Sequence, residues 1–281
     1  MLRPAGSRPV RPRSVGLWSA LALLVLAAPA SAQASGERFV ARTEPTPAPE
    51  ERAYDVASAP AFYVTAREAP MRAEPSDRAA VVETLRIRDG VRVLDDAAGG
   101  GAGWRLVQFG RDRGYVRAEA LSNVWIRVDK SDRTVYVYRG AELVRELPAD
   151  VSRSDEDKVR RSRLGEDDHY RMPEGVFFVC RKNDASQYYR AFVVSYPGPV
   201  HALRGLEGGL ITQAQYEAIV RADREGREPP MGTRLGGLIE IHGNGSGRRR
   251  AWTRGCVALR NVHMDELWDY VEVGTPIVIE A

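Results

Sequence analysis

The sequence predicts a mainly β protein: a small barrel of short strands, then a larger β-rich domain with two or three helices. Three observations carry this. Short runs of β-branched and aromatic residues recur between Gly-rich and Asp-Gly turn signals. Only two stretches place apolar residues at helical spacing. The length remaining after the first 32 residues suits two modest domains.

The first segment reads as a targeting sequence rather than part of a fold. Arg3, Arg8, Arg11 and Arg13 form a positive region without acids. Leu17 to Ala28 is apolar, and Ala30-Ser31-Ala32 has the small-x-small form of a cleavage site. Twelve apolar residues fall short of the roughly 20 that a membrane-spanning helix needs. Residues 1–32 are therefore expected to be a signal peptide, with an exported protein of the periplasm or cell envelope and no membrane span after its removal. A retained anchor is the alternative. Losing those four arginines takes the formal net charge from +3 to −1, which gives no ground for nucleic acid or an anionic membrane as partner.

Residues 33–58 contain Thr43 to Glu50, rich in Pro and acid, and read as a linker. Residues 59–122 hold the barrel strands. Val81 to Leu85 is one run. Asp89-Gly90 turns into the alternating Val91-Arg92-Val93, and Gly99 to Gly101 marks a flexible loop. Trp104 to Phe109 follows, and Gly110 to Gly114 leads into Tyr115-Val116. Residues 123–281 open with a hairpin, Trp125 to Val128 and Thr134 to Tyr138 around Asp129 to Arg133. Ser152 to Asp168 is charged and reads as a surface loop. Val176 to Cys180 and Tyr189 to Val194 read as buried strands. Thr212 with Gln215 fits a capping box ahead of Tyr216, Ile219 and Val220, a helix that ends near Gly226. A second helix is expected from an N-cap at Asn261 through Leu267 and Val271. Pro276 to Ile279 is a last strand.

The chemistry concentrates near the C-terminus. In Leu238 to His242 the alternation puts Glu240 and His242 on one face, at the end of an apolar strand. Fourteen positions on, Cys256 follows Gly255 and precedes the apolar Val257-Ala258-Leu259. A glycine before a nucleophile lets successive N–H groups aim at one point. A thiol near pKa 8.5 needs an imidazole to become a nucleophile at neutral pH. Either Glu240 or a carbonyl just past the strand would orient the ring. For each residue alone, a surface histidine or a small buried thiol is the plain alternative. Cys180 and Cys256 admit one disulfide, but one structural and one working thiol is the preferred reading. Arg248, Arg249 and Arg250 lie between base and nucleophile and could clamp peptide carboxylates or form a solvated loop. Tyr196 and Trp252 could line a substrate groove, though core packing is the better reading for any single aromatic. His169 beside Glu166, Asp167 and Asp168 is a weak metal candidate, and no zinc spacing or phosphate loop is present, so neither a metal nor a cofactor is expected.

These residues resemble the active-site signature of the L,D-transpeptidase catalytic domain family, closest to its murein-transpeptidase-like branch with Trp-Thr-x-Gly-Cys-x-Ala-Leu, here Trp252 to Leu259. Pro173-Glu174-Gly175, Val194 to Pro197, Pro230 to Gly237 and Met264 to Leu267 extend the likeness over residues 124–281. The resemblance implies Cys256 as nucleophile, His242 as base and Gly243 as the carbonyl that steadies it. It also implies an oxyanion site at Arg254, Gly255 and Cys256, with Thr253 as the motif hydroxyl facing substrate. Arg254 stands where the commoner pattern has His, and Ala258 where it often has Arg, which bears on substrate preference. Met71 to Pro75, the Gly103-Trp104 strand and Gly114-Tyr115-Val116 resemble a bacterial SH3-like domain, implying a peptidoglycan-binding barrel or a spacer.

The fold expectation is thus an SH3-like β-barrel before an L,D-transpeptidase-type domain. The implied activity is acyl transfer on peptidoglycan stem peptides through a thioester on Cys256, giving 3–3 cross-links or attaching an envelope protein through a lysine. Water as acceptor would make it an amidase or L,D-carboxypeptidase. A non-catalytic wall-binding protein is the remaining alternative.

Overall fold

The computed structural model describes residues 54–96, 103–162 and 167–281. The expected signal peptide, most of the expected linker, the Gly99 to Gly101 loop and Glu166 lie outside these residues. Residues 53–281 form one compact unit with more than one core.

The first core belongs to seven short strands, β1 (Ala61–Val64), β2 (Glu68–Arg72), β3 (Val81–Arg86), β4 (Gly90–Asp95), β5 (Trp104–Phe109), β6 (Asp112–Arg117) and β7 (Leu121–Ser122). They pair antiparallel in the order β3-β2-β6-β5-β4-β1-β7. Period-2 alternation sends Val91 and Val93 inward to meet Val64, Met71, Leu85, Val107 and Val116.

The second sheet has eight strands in the order β10-β9-β8-β19-β14-β15-β16-β18. The hairpin β8 (Val124–Asp129) and β9 (Thr134–Arg139) pairs in the expected register, from Val124 opposite Arg139 to Asp129 opposite Thr134. The Asp129 carboxylate closes its turn by accepting from the Asp132 N–H at 2.8 Å. β10 (Glu142–Pro148) extends that edge. The final strand β19 (Pro276–Glu280) enters the middle, parallel to β8 and antiparallel to β14 (Gly175–Ser186). β14 continues into β15 (Tyr189–Val194), then β16 (Glu240–His242) and, parallel to it, β18 (Val257–Ala258). Residues from all these strands except β10's exposed stretch bury Ile126, Val137, Val179, Phe192, Ile241, Val257 and Ile277 in one cluster.

Three helices cover the sheet. α1 (Pro199–Glu207) begins with Pro199 in its first turn, where the missing N–H costs nothing. Val200 and Leu203 face solvent and its buried residues are His201, Ala202 and Gly205, so apolar periodicity does not announce it. α2 (Gln213–Arg224) carries the capping box: Thr212 Oγ1 accepts from the Gln215 N–H, and Gln215 Oε1 accepts from the Thr212 N–H. α3 (Asn261–Trp268) is capped differently from expectation. Its N-cap is Arg260, and the Asn261 side chain instead accepts from the Asn244 N–H at 2.7 Å. The helix also stops at Trp268, before Val271.

The charged stretch Ser152 to Asp168 is not simply a loop. β11 (Val151–Ser152) pairs with β17 (Ala251–Thr253), and β12 (Ser154–Asp157) with β13 (Arg171–Met172). Such two- to four-residue ladders are imposed by neighbours and leave no period in the sequence. No helix among the described residues is long and apolar enough to cross a membrane.

The two sheets are joined by polar contacts. Tyr63 on β1 donates from its hydroxyl to the Val124 carbonyl at 2.6 Å, with Thr275 Oγ1 at 3.2 Å. Arg88, in the turn before β4, donates to the Asp223 carbonyl at 2.7 Å. Replacing Tyr63 with Phe is expected to cost about 1–2 kcal/mol in urea unfolding, because the Val124 carbonyl is left without this donor in a dry seam. An unchanged midpoint would show that the seam is wet or dispensable.

Candidate active site

The edge of the second sheet, where β16 pairs with β18, sets the offset between the two sequence-separated groups. Because β16 and β18 are parallel, Ile241 lies opposite Val257 and His242 opposite Ala258. The Leu259 N–H donates to the His242 carbonyl at 2.7 Å. Cys256, immediately before β18, therefore enters at the side of the histidine strand.

His242 is 2% exposed. Its Nδ1 lies 2.7 Å from the Gly243 carbonyl. A carbonyl only accepts, so Nδ1 carries the proton and Nε2 keeps a free lone pair. The orienting group is thus the carbonyl and not Glu240. The Tyr188 ring, at the tip of the β14–β15 hairpin, stacks on the imidazole at 4.5 Å between centroids. Gly243 has no room for a side chain: a Cβ would meet Asn261 Oδ1 at 2.6 Å and the Tyr188 carbonyl at 2.8 Å. Burial lowers the pKa of His242, outweighing the opposing bond to Gly243, and keeps the ring neutral.

Cys256 is half-buried. Burial pushes its thiol up to about 12, with the Glu240 charge adding to this and the Glu240 backbone and Lys158 charge opposing it. The thiol donates to the Leu238 carbonyl at 3.6 Å; no hydrogen bond joins it to His242. Both shifts favour the neutral form of each group. Gly255 has φ +112°, and a Cβ there would lie 2.8 Å from the Arg171 carbonyl oxygen. Among the described residues, the N–H groups of Arg254, Gly255 and Cys256 find no acceptor. Thr253, 1% exposed, donates from Oγ1 to the Cys256 carbonyl at 2.6 Å. It braces the turn from within and offers no face to a substrate, contrary to expectation.

Other sequence candidates are distributed differently. Tyr196 is fully buried, donates to the Leu235 carbonyl at 3.0 Å and packs on Phe177 and His201, so it lines no groove. Arg249 turns away: Nε donates to Thr134 Oγ1 at 3.2 Å, and Nη2 lies 3.6 Å from Glu146. Arg248 and Arg250 are exposed. The Trp252 ring is 41% exposed, with its indole N–H bonded to Asp150. Cys180 is a free buried thiol that donates to the Val193 carbonyl at 3.3 Å, and no disulfide joins it to Cys256. His169 has Ser162 O at 3.4 Å from Nδ1, and no group of three metal-ligating side chains occurs among the described residues.

Three residues at the site escape sequence reading. Tyr188 is a hairpin-tip residue whose role needs the fold. Lys158, buried, donates to the Asp168 carbonyl at 2.8 Å and belongs to the charged stretch read as a loop. Asp150, fully buried, accepts from the Ser246 N–H and Oγ, both at 2.7 Å, the Arg250 N–H at 2.9 Å and Trp252 Nε1 at 2.8 Å. Burial works to raise its pKa, but these donors win and hold the carboxyl below its usual 3.8. No spacing signal links position 150 to positions 246–252.

Gly255→Ala is expected to destabilise the protein by about 1–3 kcal/mol in chemical denaturation, from positive φ and the clash with the Arg171 carbonyl. A wild-type midpoint would refute the tight-turn account.

Residues 123–279, more than half of the chain, match the model of the YkuD L,D-transpeptidase catalytic domain. Among solved structures, the chain is similar to Bd1075 of Bdellovibrio bacteriovorus (24% identity, 57% of this chain and 48% of that one, TM-score 0.35). It is also similar to the helical cell shape determining protein Pgp2 of Campylobacter jejuni (20% identity, 57% and 47%, TM-score 0.37). A third is the L,D-transpeptidase of Xylanimonas cellulosilytica DSM 15894 (17% identity, 56% and 60%, TM-score 0.34). The matches span about half the length of the first two and three-fifths of the third. No curated protein matches the chain. With the matched region holding His242, Gly243 and the Thr253 to Cys256 turn, the chain belongs to the L,D-transpeptidase catalytic domain family.

Proposed function

We propose that this protein is an exported peptidoglycan L,D-transpeptidase that works through a thioester on Cys256. The observation that carries the reading is the commitment of the His242 Nδ1 proton to the Gly243 carbonyl, which leaves a basic Nε2 on the strand beside the thiol.

In this mechanism the thiol gives up its bond to the Leu238 carbonyl and turns to Nε2. The imidazole takes the Sγ proton as sulfur attacks the carbonyl between the third residue of a tetrapeptide stem and its terminal D-alanine. Negative charge develops on the carbonyl oxygen, where the Arg254, Gly255 and Cys256 amides are the candidate donors; each such donor contributes about 3–4 kcal/mol in well-measured cases. The C–N bond breaks, the imidazolium protonates the departing amine, and D-alanine leaves. An acceptor amine then attacks the thioester, giving its proton to His242 and releasing Cys256 as the thiol. A stem amine yields a 3–3 cross-link, and a lysine of an envelope protein yields attachment. Because burial favours the neutral form of both partners, proton transfer accompanies attack. The exposed Arg248 and Arg250 suit the carboxylates of a stem, and the seven-stranded sheet suits an SH3-like module that holds the wall or spaces the enzyme from it.

Incubation with tetrapeptide muropeptides, followed by intact mass, tests the reading. Wild type and Cys180→Ala should gain a stem acyl group with loss of D-alanine; Cys256→Ala should not. Dimeric products indicate transpeptidation and tripeptide indicates hydrolysis, while no adduct on wild type sinks the enzymatic reading. The pH profile of kcat/KM is a second check. His242 must be neutral to accept the proton, and burial lowers its pKa, so the acid limb should have its midpoint below the ordinary histidine value of 6.5. A midpoint above that value would remove His242 as the base in this environment.

A further inference from the structure

We propose that Asp150 is a positioning residue for the Cys256–His242 pair, holding both ends of the segment that joins nucleophile to base. The proposal rests on the function argued above.

All four groups that donate to the Asp150 carboxylate lie in the connection between His242 and Cys256. Oδ1 accepts from Ser246 Oγ and the Arg250 N–H, and Oδ2 from the Ser246 N–H and the Trp252 indole. Ser246 lies four positions after the base, and Trp252 four before the nucleophile. The hold continues into both. The Trp252 neighbour Thr253 grips the Cys256 carbonyl. The Asp150 main chain exchanges two bonds with Ala258, at 2.9 and 2.8 Å, and Ala258 is the register partner of His242. One buried residue therefore touches the segment after the base, the segment before the nucleophile and the strand that sets their offset.

The connection is also held by β17 against β11, by the Gly245 N–H on the Leu259 carbonyl and by the Arg133 guanidinium on the Arg249 carbonyl. Each of these reaches one end of it only, whereas Asp150 reaches both. The segment carries Gly243, Gly245 and Gly247 and three successive arginines, a composition that favours an open, self-repelling loop. None of the donors to Asp150 is a charged side chain, so the ionised carboxylate acts as a hub of directed bonds and not as half of a salt bridge. An asparagine at this position has one acceptor oxygen and presents an amide N–H to donors, so it cannot satisfy all four.

The test compares Asp150→Asn and Trp252→Phe with wild type in stem-peptide acylation, together with hydrogen exchange. Misplacement of a catalytic group by about 1 Å costs about 10²-fold. Asp150→Asn should therefore lose kcat by about that factor with KM changed less than about threefold, while the Ser246 and Arg250 amides lose protection. Trp252→Phe keeps an aromatic ring, though a smaller one, and removes the indole N–H donor, and should lose kcat by about fivefold with KM unchanged. It carries the test alone if Asp150→Asn does not fold. A folded Asp150→Asn, or Trp252→Phe, with kcat within about twofold of wild type overturns the proposal and leaves the enzymatic reading intact. So does a loss confined to KM, which would make the segment a substrate contact. A wild-type protein that gains no acyl group overturns both.

Discussion

The parallel pairing of β16 with β18 is the constraint on which the site depends. Parallel neighbours cannot be joined by a tight turn. The chain must leave after His242, travel out and return in the same direction before Val257. That detour sets Cys256 just before β18, two residues out of register with His242 on the neighbouring strand. It also creates the problem of a glycine- and arginine-rich excursion that needs an anchor. The anchor comes from far away in sequence, through β11 against β17 and through Asp150.

Burial decides the protonation chemistry. The imidazole is shielded by Tyr188 and the sheet, and the thiol by the Gly255 turn and the Leu238 carbonyl. In such surroundings the neutral form of each is favoured, so the thiol rises and the histidine falls. A pair tuned this way is quiet at rest. In the proposed reaction a substrate carbonyl would pass its developing charge to the amides of residues 254–256, which find no acceptor among the described residues.

Much of the fold was legible where one period dominates. The hairpin of β8 and β9 follows from alternation and the Asp129 turn, and α2 follows from Thr212 and Gln215. Legibility failed where a side chain had two possible partners or none nearby. Asn261 is a good N-cap by type, yet tertiary contact spends its oxygen on Asn244. α1 hides because its buried face consists of His201, Ala202 and Gly205. β11 and β12 hide because ladders of two to four residues carry no pattern of their own. At the candidate site, Gly243 and Gly255 are legible because close approach or positive φ demands glycine there. Which way Tyr196, Arg249 and Thr253 turn was not legible, because residue type leaves both a groove and an inward packing open.

By itself the sequence determined the β-rich class, the candidate thiol and imidazole, and the glycines beside them, since these depend on local conformation and intrinsic chemistry. Only the tertiary structure decided the tautomer of His242, the burial that favours neutral forms of both groups and the four donors gathered on Asp150. Each of those depends on burial and on hydrogen bonds between positions as much as a hundred residues apart, and no local pattern records which distant donor a buried acceptor will meet.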